Sequence, residues 1–208
     1  MRKHLMATAA VGCMAASSAS AATLNGEFWD VAANTIASID QAIAQVDGGT
    51  DPITASFTST AINYGDGPGW SIGSLSAFLN ADAGSIVGTD PSLIQESVFR
   101  LTGQVALDDG DRIDVTSDDG FRLIIDGSTV SEFTGLRGPN NTTSALWGGG
   151  SGVFEATLWY FEGNISQAQL ISNLGDYAVE PVPGPAAGLL LLTGLGGMTA
   201  LRRRRKAA

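Results

Sequence analysis

The segment DRIDVTSDDGFRLIIDG, at residues 111–127, constrains the fold more than any other part of this chain. Apolar and polar residues alternate on both sides of two adjacent aspartates, as in strands with one buried and one solvated face. Asp118, Asp119 and Gly120 are typical of a bend between two antiparallel strands. We therefore predict a β-hairpin inside an all-β domain.

Other stretches with strand-like alternation surround this segment, and we predict strands at 24–29, 53–64, 96–107, 128–133, 153–161 and 167–171, with a loop at 134–143. A helix is predicted at 34–46, because its apolar residues share one helical face: Ile36, Ile39, Ile43 and Val46. We expect this helix to cap a barrel end or to cover a sheet edge. Ser74 is predicted to cap a second, short helix that runs to Leu79.

The first 21 residues have the parts of a secretory signal peptide. A basic start precedes an apolar stretch at 5–16, and Ala19-Ser20-Ala21 matches an A-x-A cleavage site. We predict cleavage between Ala21 and Ala22. The stretch is too short and too rich in alanine for a transmembrane anchor. Lipidation at Cys13 is the weaker alternative, because the apolar run before it is brief.

Residues 179–208 form a predicted tail of three parts, which leaves 22–178 as one domain. The motif Val182-Pro183-Gly184-Pro185 is stiff and extended. The apolar run 186–201 would span about 24 Å as a helix, slightly less than a bilayer core of about 30 Å. We expect a transmembrane helix with the basic cluster 202–206 on the cytoplasmic side. The alternative, that the apolar run is a buried helix of the fold, is unfavourable because such a helix would carry five cations at one end.

Charge is distributed very unevenly along the chain. All 21 acidic residues lie between Glu27 and Glu180, where four arginines and no lysine occur, so this region has a net charge of −17. Such a surface repels nucleic acid and attracts divalent cations. Removal of the signal peptide also removes Cys13, so no cysteine remains to form a disulfide.

Three motifs, in sequence order, resemble the PA14 domain family of β-rich extracellular modules. They are FRLTGQVAL, which ends at residue 107, the central SDDGFRLIIDG, and LWYFEGNISQAQL near the end of the domain. The resemblance extends from about residue 24 to residue 171. It implies a PA14-like antiparallel β-sandwich or barrel, here with one or two short helices.

The tail is similar to the PEP-CTERM class of bacterial sorting signals, and most of all to its VPLPA-type variant, although Gly184 departs from that motif. The resemblance implies export in a Gram-negative bacterium, transient anchoring in the inner membrane and processing by an exosortase-type enzyme. The mature protein is then expected at the cell surface or in the medium, without its tail.

The aspartate pair predicts a cation site. Two carboxylates about 4 Å apart repel each other by roughly 4 kcal/mol at an effective dielectric constant of about 20. A hard cation such as Ca²⁺, which takes about six to eight oxygen ligands, offsets this repulsion. The alternative is that Asp118 and Asp119 only cap the bend through side chain–backbone hydrogen bonds.

The resemblance makes this metal site more specific. Some PA14 lectins hold Ca²⁺ with an aspartate pair joined by a cis peptide bond, together with an asparagine and carbonyl groups of a later loop. That loop matches residues 160–166 here, with Glu162 in the position of the asparagine and with carbonyl ligands from Asn164 and Ser166.

Candidates for sugar contact lie in two further loops. Trp147, beside three glycines, is predicted either as a platform on which a sugar ring stacks or as a residue packed over the core. Asn140 and Asn141, in the loop LRGPNN, are the other candidates.

Residues 22–178 lack the side chains that enzyme chemistry needs. The only histidine, His4, belongs to the signal peptide, and no nucleophile–base set, His/Cys metal cluster or phosphate-binding loop remains. Adjacent aspartates cannot flank a sugar at the separation that glycoside hydrolysis requires, so a hydrolase is the weakest interpretation. We predict a non-catalytic exported protein that binds carbohydrate, with Ca²⁺ as a candidate cofactor. The alternative is a structural biofilm-matrix protein without a specific ligand.

Overall fold

The computed structural model describes residues 23–49, 51–65, 72–163 and 166–179. The strands in these ranges are β1 Leu24–Asp30, β2 Ala55–Ser59, β3 Ile62–Tyr64, β4 Val87–Gly88, β5 Ser97–Leu107, β6 Arg112–Asp118, β7 Phe121–Ile125, β8 Ser128–Phe133, β9 Thr142–Leu146, β10 Gly152–Glu162, β11 Gln169–Ser172 and β12 Ala178–Val179. The helical segments are α1 Ile39–Asp47, α2 Leu75–Leu79 and two 3₁₀ turns, Asn80–Ser85 and Asn173–Tyr177.

The strands form two antiparallel sheets around one core. The order is β4-β2-β1-β5-β10-β7-β8 in the larger sheet, where β12 also pairs with β5, and β3-β11-β6-β9 in the smaller sheet. This confirms the predicted all-β class with two short helices. The predicted signal helix at 1–21 and the predicted transmembrane helix at 186–201 lie outside the described residues. Within the described ranges, no helix is long and apolar enough to cross a membrane.

The core between the sheets is aromatic at its centre. β5 and β10 pair over eleven residues in the middle of the larger sheet. Their rings Phe99 and Tyr160 lie 5.4 Å apart, and both contact Phe78 of α2. Val115 and Leu170 of the smaller sheet belong to the same cluster. Burial of these large side chains supplies most of the driving force for folding.

Helix α1 lies on the outer face of the larger sheet, and the prediction that it caps a barrel end or covers an edge is wrong. Its buried residues Ile39 and Val46 pack in one cluster with Trp29, Val98 and Trp159. The outward side chains of these central strands are themselves apolar, so the sheet needs a cover on this face. The helix also begins later than predicted, at Ile39, because the side chain of Ser38 accepts a hydrogen bond from the backbone N–H of Gln41 as its N-cap.

The predicted hairpin at the aspartate pair is wrong. β6 pairs with β9 and β11 in the smaller sheet, whereas β7 pairs with β8 and β10 in the larger sheet. The chain therefore crosses from one sheet to the other at residues 118–120. The predicted strand at 53–64 is divided in the same way between β2 and β3, and β9 overlaps and extends beyond the predicted loop at 134–143.

A buried polar network joins the β2–β3 turn to the 3₁₀ turn Asn80–Ser85. The hydroxyl of Tyr64 lies 2.5 Å from Ser59 Oγ and donates a hydrogen bond to Asp82 Oδ2 at 3.0 Å. Asp82 is 5% exposed and accepts further hydrogen bonds from the N–H and hydroxyl of Thr60. The network therefore holds a carboxylate within the fold by local hydrogen bonds.

Replacing Tyr64 by Phe should lower the free energy of unfolding by about 1–3 kcal/mol, because a buried hydroxyl and a buried carboxylate each lose a partner. Urea denaturation measures the change. The matched control is Tyr177→Phe, whose hydroxyl bonds Arg112 O in an exposed position and should matter by about 0.5 kcal/mol or less. Equal losses in the two variants would contradict a specific role for the network.

Candidate functional site

Three buried carboxylates meet at one end of the sandwich. Asp118 ends β6, Asp119 lies in the crossing between the sheets, and Glu162 ends β10. Asp118 is 2% exposed, and the other two are fully buried. One carboxylate oxygen from each residue lies within 4.8 Å of the others. The peptide bond between the two aspartates is cis.

The carboxylate of Asp119 joins two loops to the site. Its Oδ1 accepts a hydrogen bond from the main-chain N–H of Arg137 at 2.9 Å, and its Oδ2 accepts one from the N–H of Gly163, also at 2.9 Å. Its carbonyl accepts a hydrogen bond from the hydroxyl of Ser117. Backbone bonds between Phe161 and both Asp119 and Gly120 fix the crossing against β10. The crossing and both loops are therefore held in one arrangement.

Tyr160 lies against the other two residues of the cluster, Asp118 and Glu162. Its fully buried hydroxyl donates a hydrogen bond to the carbonyl of Asp118 and lies 3.2 Å from Glu162 Oε2. Because β10 pairs with both β5 and β7, this side chain has a rigid base. The site therefore rests on a long strand that is paired on both sides.

The electrostatics of the site favour a positive ligand. Burial, and then the neighbouring charge of Asp119, raise the pKa of Asp118 to about 7, although Arg137 acts in the opposite direction. Without a cation, the site takes up a proton near neutral pH. Three carboxylates within reach of one ion form the oxygen-only donor set that Ca²⁺ and Mg²⁺ prefer. These residues therefore fit a hard divalent cation.

Arg137 belongs to this site and was not predicted. Its guanidinium donates to Ser117 O, Ser117 Oγ and Thr143 Oγ1 at 3.0, 2.7 and 2.9 Å. It also lies over the ring of Phe133, with Cζ 4.4 Å from the centroid. One signal was present in the sequence: Arg137 is the only arginine between residues 22 and 180 that falls outside a predicted strand.

The remaining predicted ligands lie in the loop after β10. Asn164 lies outside the described residues. Ser166 is exposed, and its carbonyl accepts a hydrogen bond from the N–H of Ile72 at 3.2 Å. The role of both as metal ligands remains a prediction.

Asn140 and Asn141 lie next to the aspartate pair. The N–H of Asn140 donates to Gln169 Oε1, and Gln169 is paired with Asp118 across the smaller sheet. The carbonyl of Asn141 accepts a hydrogen bond from the N–H of Ser117. Both asparagines are exposed, so they form part of the rim around the buried carboxylates.

Trp147 lies elsewhere, and its predicted role as an exposed stacking platform is contradicted by its burial. It is 7% exposed, packs against Phe154 with ring centroids 4.8 Å apart, and donates its indole N–H to Gly150 O. Its backbone bonds Asp111, just before β6, so roughly 20 Å of strand separates it from Asp118 at the other end. The alternative prediction, a tryptophan packed over the core, describes its position.

Comparison with solved structures identifies the class of fold. The chain is similar to a PA14 sugar-binding domain from an RTX adhesin, with a TM-score of 0.58 and 25% identity over 73% of this chain and 88% of that one. It is also similar to the PA14 domain of the antifreeze protein MpAFP, with a TM-score of 0.57 and 24% identity over 78% of this chain and 85% of that one. No family model and no curated protein match the chain. The sandwich is thus a PA14-like fold, as the sequence motifs imply.

Replacing Asp119 by Asn should lower the free energy of unfolding of the metal-free protein by about 1–3 kcal/mol. An amide has one acceptor oxygen, so the N–H of either Arg137 or Gly163 would then face an NH₂ group. Chemical denaturation in EGTA measures the loss. If the variant were as stable as the wild type, Asp119 would not be holding the two loops.

The raised pKa of Asp118 predicts how the free energy of unfolding changes with pH. Its pKa of about 7 in the fold lies above the unfolded value of about 4. Its contribution to the stability of the metal-free protein is therefore fully present below about pH 4 and is lost as the pH rises through 7. The free energy of unfolding of Asp118→Asn should rise relative to wild type over this range. Urea titrations of both proteins at several pH values test this, and parallel pH profiles would exclude it.

Proposed function

We propose that this protein is a non-catalytic carbohydrate-binding module of the cell surface or extracellular space, and that it binds glycans with the help of a calcium ion. The observation that carries this proposal is the set of three buried carboxylates, Asp118, Asp119 and Glu162, with oxygens within 4.8 Å of each other. The similar domain of the RTX adhesin, a sugar-binding PA14 domain, supports the ligand class.

The surroundings of the carboxylates suit a sugar. Calcium, when bound, supplies coordination positions beyond those that protein oxygens fill, and sugar hydroxyls are suitable ligands for them. Asn140 offers an amide donor and acceptor on the exposed rim, and Asn141 offers its side-chain oxygen, since its Nδ2 already donates to carbonyls of its own loop. Leu136, which is 48% exposed, lies against Gly163, whose N–H bonds Asp119, and offers an apolar surface there. Polar groups with a small apolar contact are typical of sites for neutral polar ligands.

The proposed location rests on the two ends of the chain. Residues 1–21 support export, and the motif at 182–185 with the basic cluster at 202–206 supports processing by an exosortase-type enzyme after transient anchoring in the inner membrane. The net charge of −17 between Glu27 and Glu180 argues against nucleic acid as a partner.

A structural matrix protein without a specific ligand is the second candidate. One observation favours it: Asp119 already accepts hydrogen bonds from two loops, which is what a carboxylate with a purely structural role would do. The two candidate functions differ in whether Glu162, which completes the cluster from the larger sheet, binds a cation.

Calcium titration of the full chain by calorimetry, after chelator treatment, tests the proposal. We expect one site with a dissociation constant on the order of 10⁻⁴–10⁻³ M, as in extracellular modules. Glu162→Gln should weaken calcium binding at least tenfold, because a charged ligand becomes neutral. The matched control is Glu155→Gln, an exposed position on the same strand, which should bind as wild type does.

A glycan array with and without calcium then separates the two candidate functions. Hits that require calcium and disappear in Glu162→Gln are expected for the carbohydrate-binding module. An array without hits, together with retained association with the extracellular matrix, would favour the structural protein.

A further inference from the structure

The guanidinium of Arg137 is fixed by neutral partners next to the aspartate pair, on Ser117. Ser117 and Thr143 accept its hydrogen bonds, and the rings of Phe133 and Phe121 lie 4.4 and 5.4 Å from its Cζ atom. None of these four residues carries a charge. The positive charge of Arg137 is therefore still available to act on the acidic cluster.

The main chain of the same residue is also bound to the cluster. The N–H of Arg137 donates to Asp119 Oδ1 at 2.9 Å. Electrostatic coupling is reciprocal: Arg137 lowers the pKa of Asp118, and the charges of Asp118 and Asp119 oppose the fall in the pKa of Arg137 that burial causes. The guanidinium and the carboxylates therefore behave as one charged unit.

The charges in this unit match one particular kind of ion. When Asp118, Asp119 and Glu162 are ionised, the three carboxylates and one guanidinium have a net charge of −2, which a divalent cation cancels. A trivalent ion would leave an excess positive charge in a buried site, and such uncompensated charge is strongly unfavourable.

We propose that Arg137 is a specificity-determining residue, whose charge shifts the relative affinity of the Asp118–Asp119–Glu162 site towards divalent and away from trivalent cations. This inference rests on the proposed calcium function. It adds that the preference for ion charge comes from a residue that does not itself bind the ion.

The test compares Ca²⁺ with Tb³⁺, two ions of similar size and different charge, on the full chain by calorimetry at low ionic strength. Arg137→Gln removes the charge and leaves the main-chain bond to Asp119 in place. Loss of the positive charge should strengthen the binding of Ca²⁺ about fivefold and that of Tb³⁺ about tenfold, because the electrostatic gain scales with the charge of the ion. The ratio of the two affinities should therefore shift by about twofold towards Tb³⁺.

Two control variants separate charge from packing. Arg137→Lys keeps the charge but loses the planar contacts with Ser117, and should keep the wild-type ratio. Arg112→Gln makes the same change in net charge at the other end of β6, roughly 20 Å away, and should also keep it.

The outcomes distinguish this inference from the proposed function. A shifted ratio in Arg137→Gln alone supports the role of the charge. If the Gln and Lys variants weakened both ions equally, Arg137 would act only through packing and the inference would be overturned while the calcium site stood. If the wild-type chain bound neither ion, both the inference and the calcium site would be overturned.

Discussion

The burial of three carboxylates in one place is the constraint on which the rest of this structure depends. Removing such groups from water is strongly unfavourable unless each charge is neutralised, paired or hydrogen bonded. Here the offsetting partners come from different parts of the chain: the N–H groups of Arg137 and Gly163, the hydroxyl of Tyr160 and the guanidinium charge. Because the two N–H groups belong to the loops after β8 and β10, the interactions that build the site also fix these loops.

The position of the cluster follows from the topology. β6 and β10 belong to opposite sheets, and their ends come together where the chain crosses between the sheets. β10 is paired on both sides, which makes it a rigid base for Glu162 and Tyr160. A site preorganised in this way loses little conformational freedom when a ligand binds, so more of the contact energy appears as affinity.

Features of the fold and the site that depend on neighbouring residues could be predicted from the sequence. Features that depend on contacts between distant residues could not. Alternation identified β5, β7 and β10 because each strand places every second side chain in the core. It did not show which sheet a strand joins, because strands that face one core from opposite sheets have the same pattern. β9, with the sequence TTSAL, has weak alternation, since it lies half exposed at the edge of the smaller sheet.

The site shows the same difference between local patterns and distant contacts. Asp118 and Asp119 are adjacent in sequence, and a motif pointed to Glu162, so all three were predicted, whereas the approach of their oxygens to within 4.8 Å of one another follows from the fold. The part played by Arg137 depends on a contact with Asp119, 18 positions earlier, that no local pattern encodes.

Burial, and not the number of acidic residues, distinguishes this cluster from others on the same chain. A second acidic group is closer together in sequence than the buried cluster and consists of Asp108, Asp109 and Asp111. It lies at the opposite end of β6, where Asp108 and Asp109 are exposed. Water solvates those charges, and salt screens them over about 8 Å at physiological ionic strength. The overall charge of −17 therefore attracts cations only diffusely. Discrimination between ions requires carboxylates that water does not reach, and among the described residues the cluster of Asp118, Asp119 and Glu162 meets that condition.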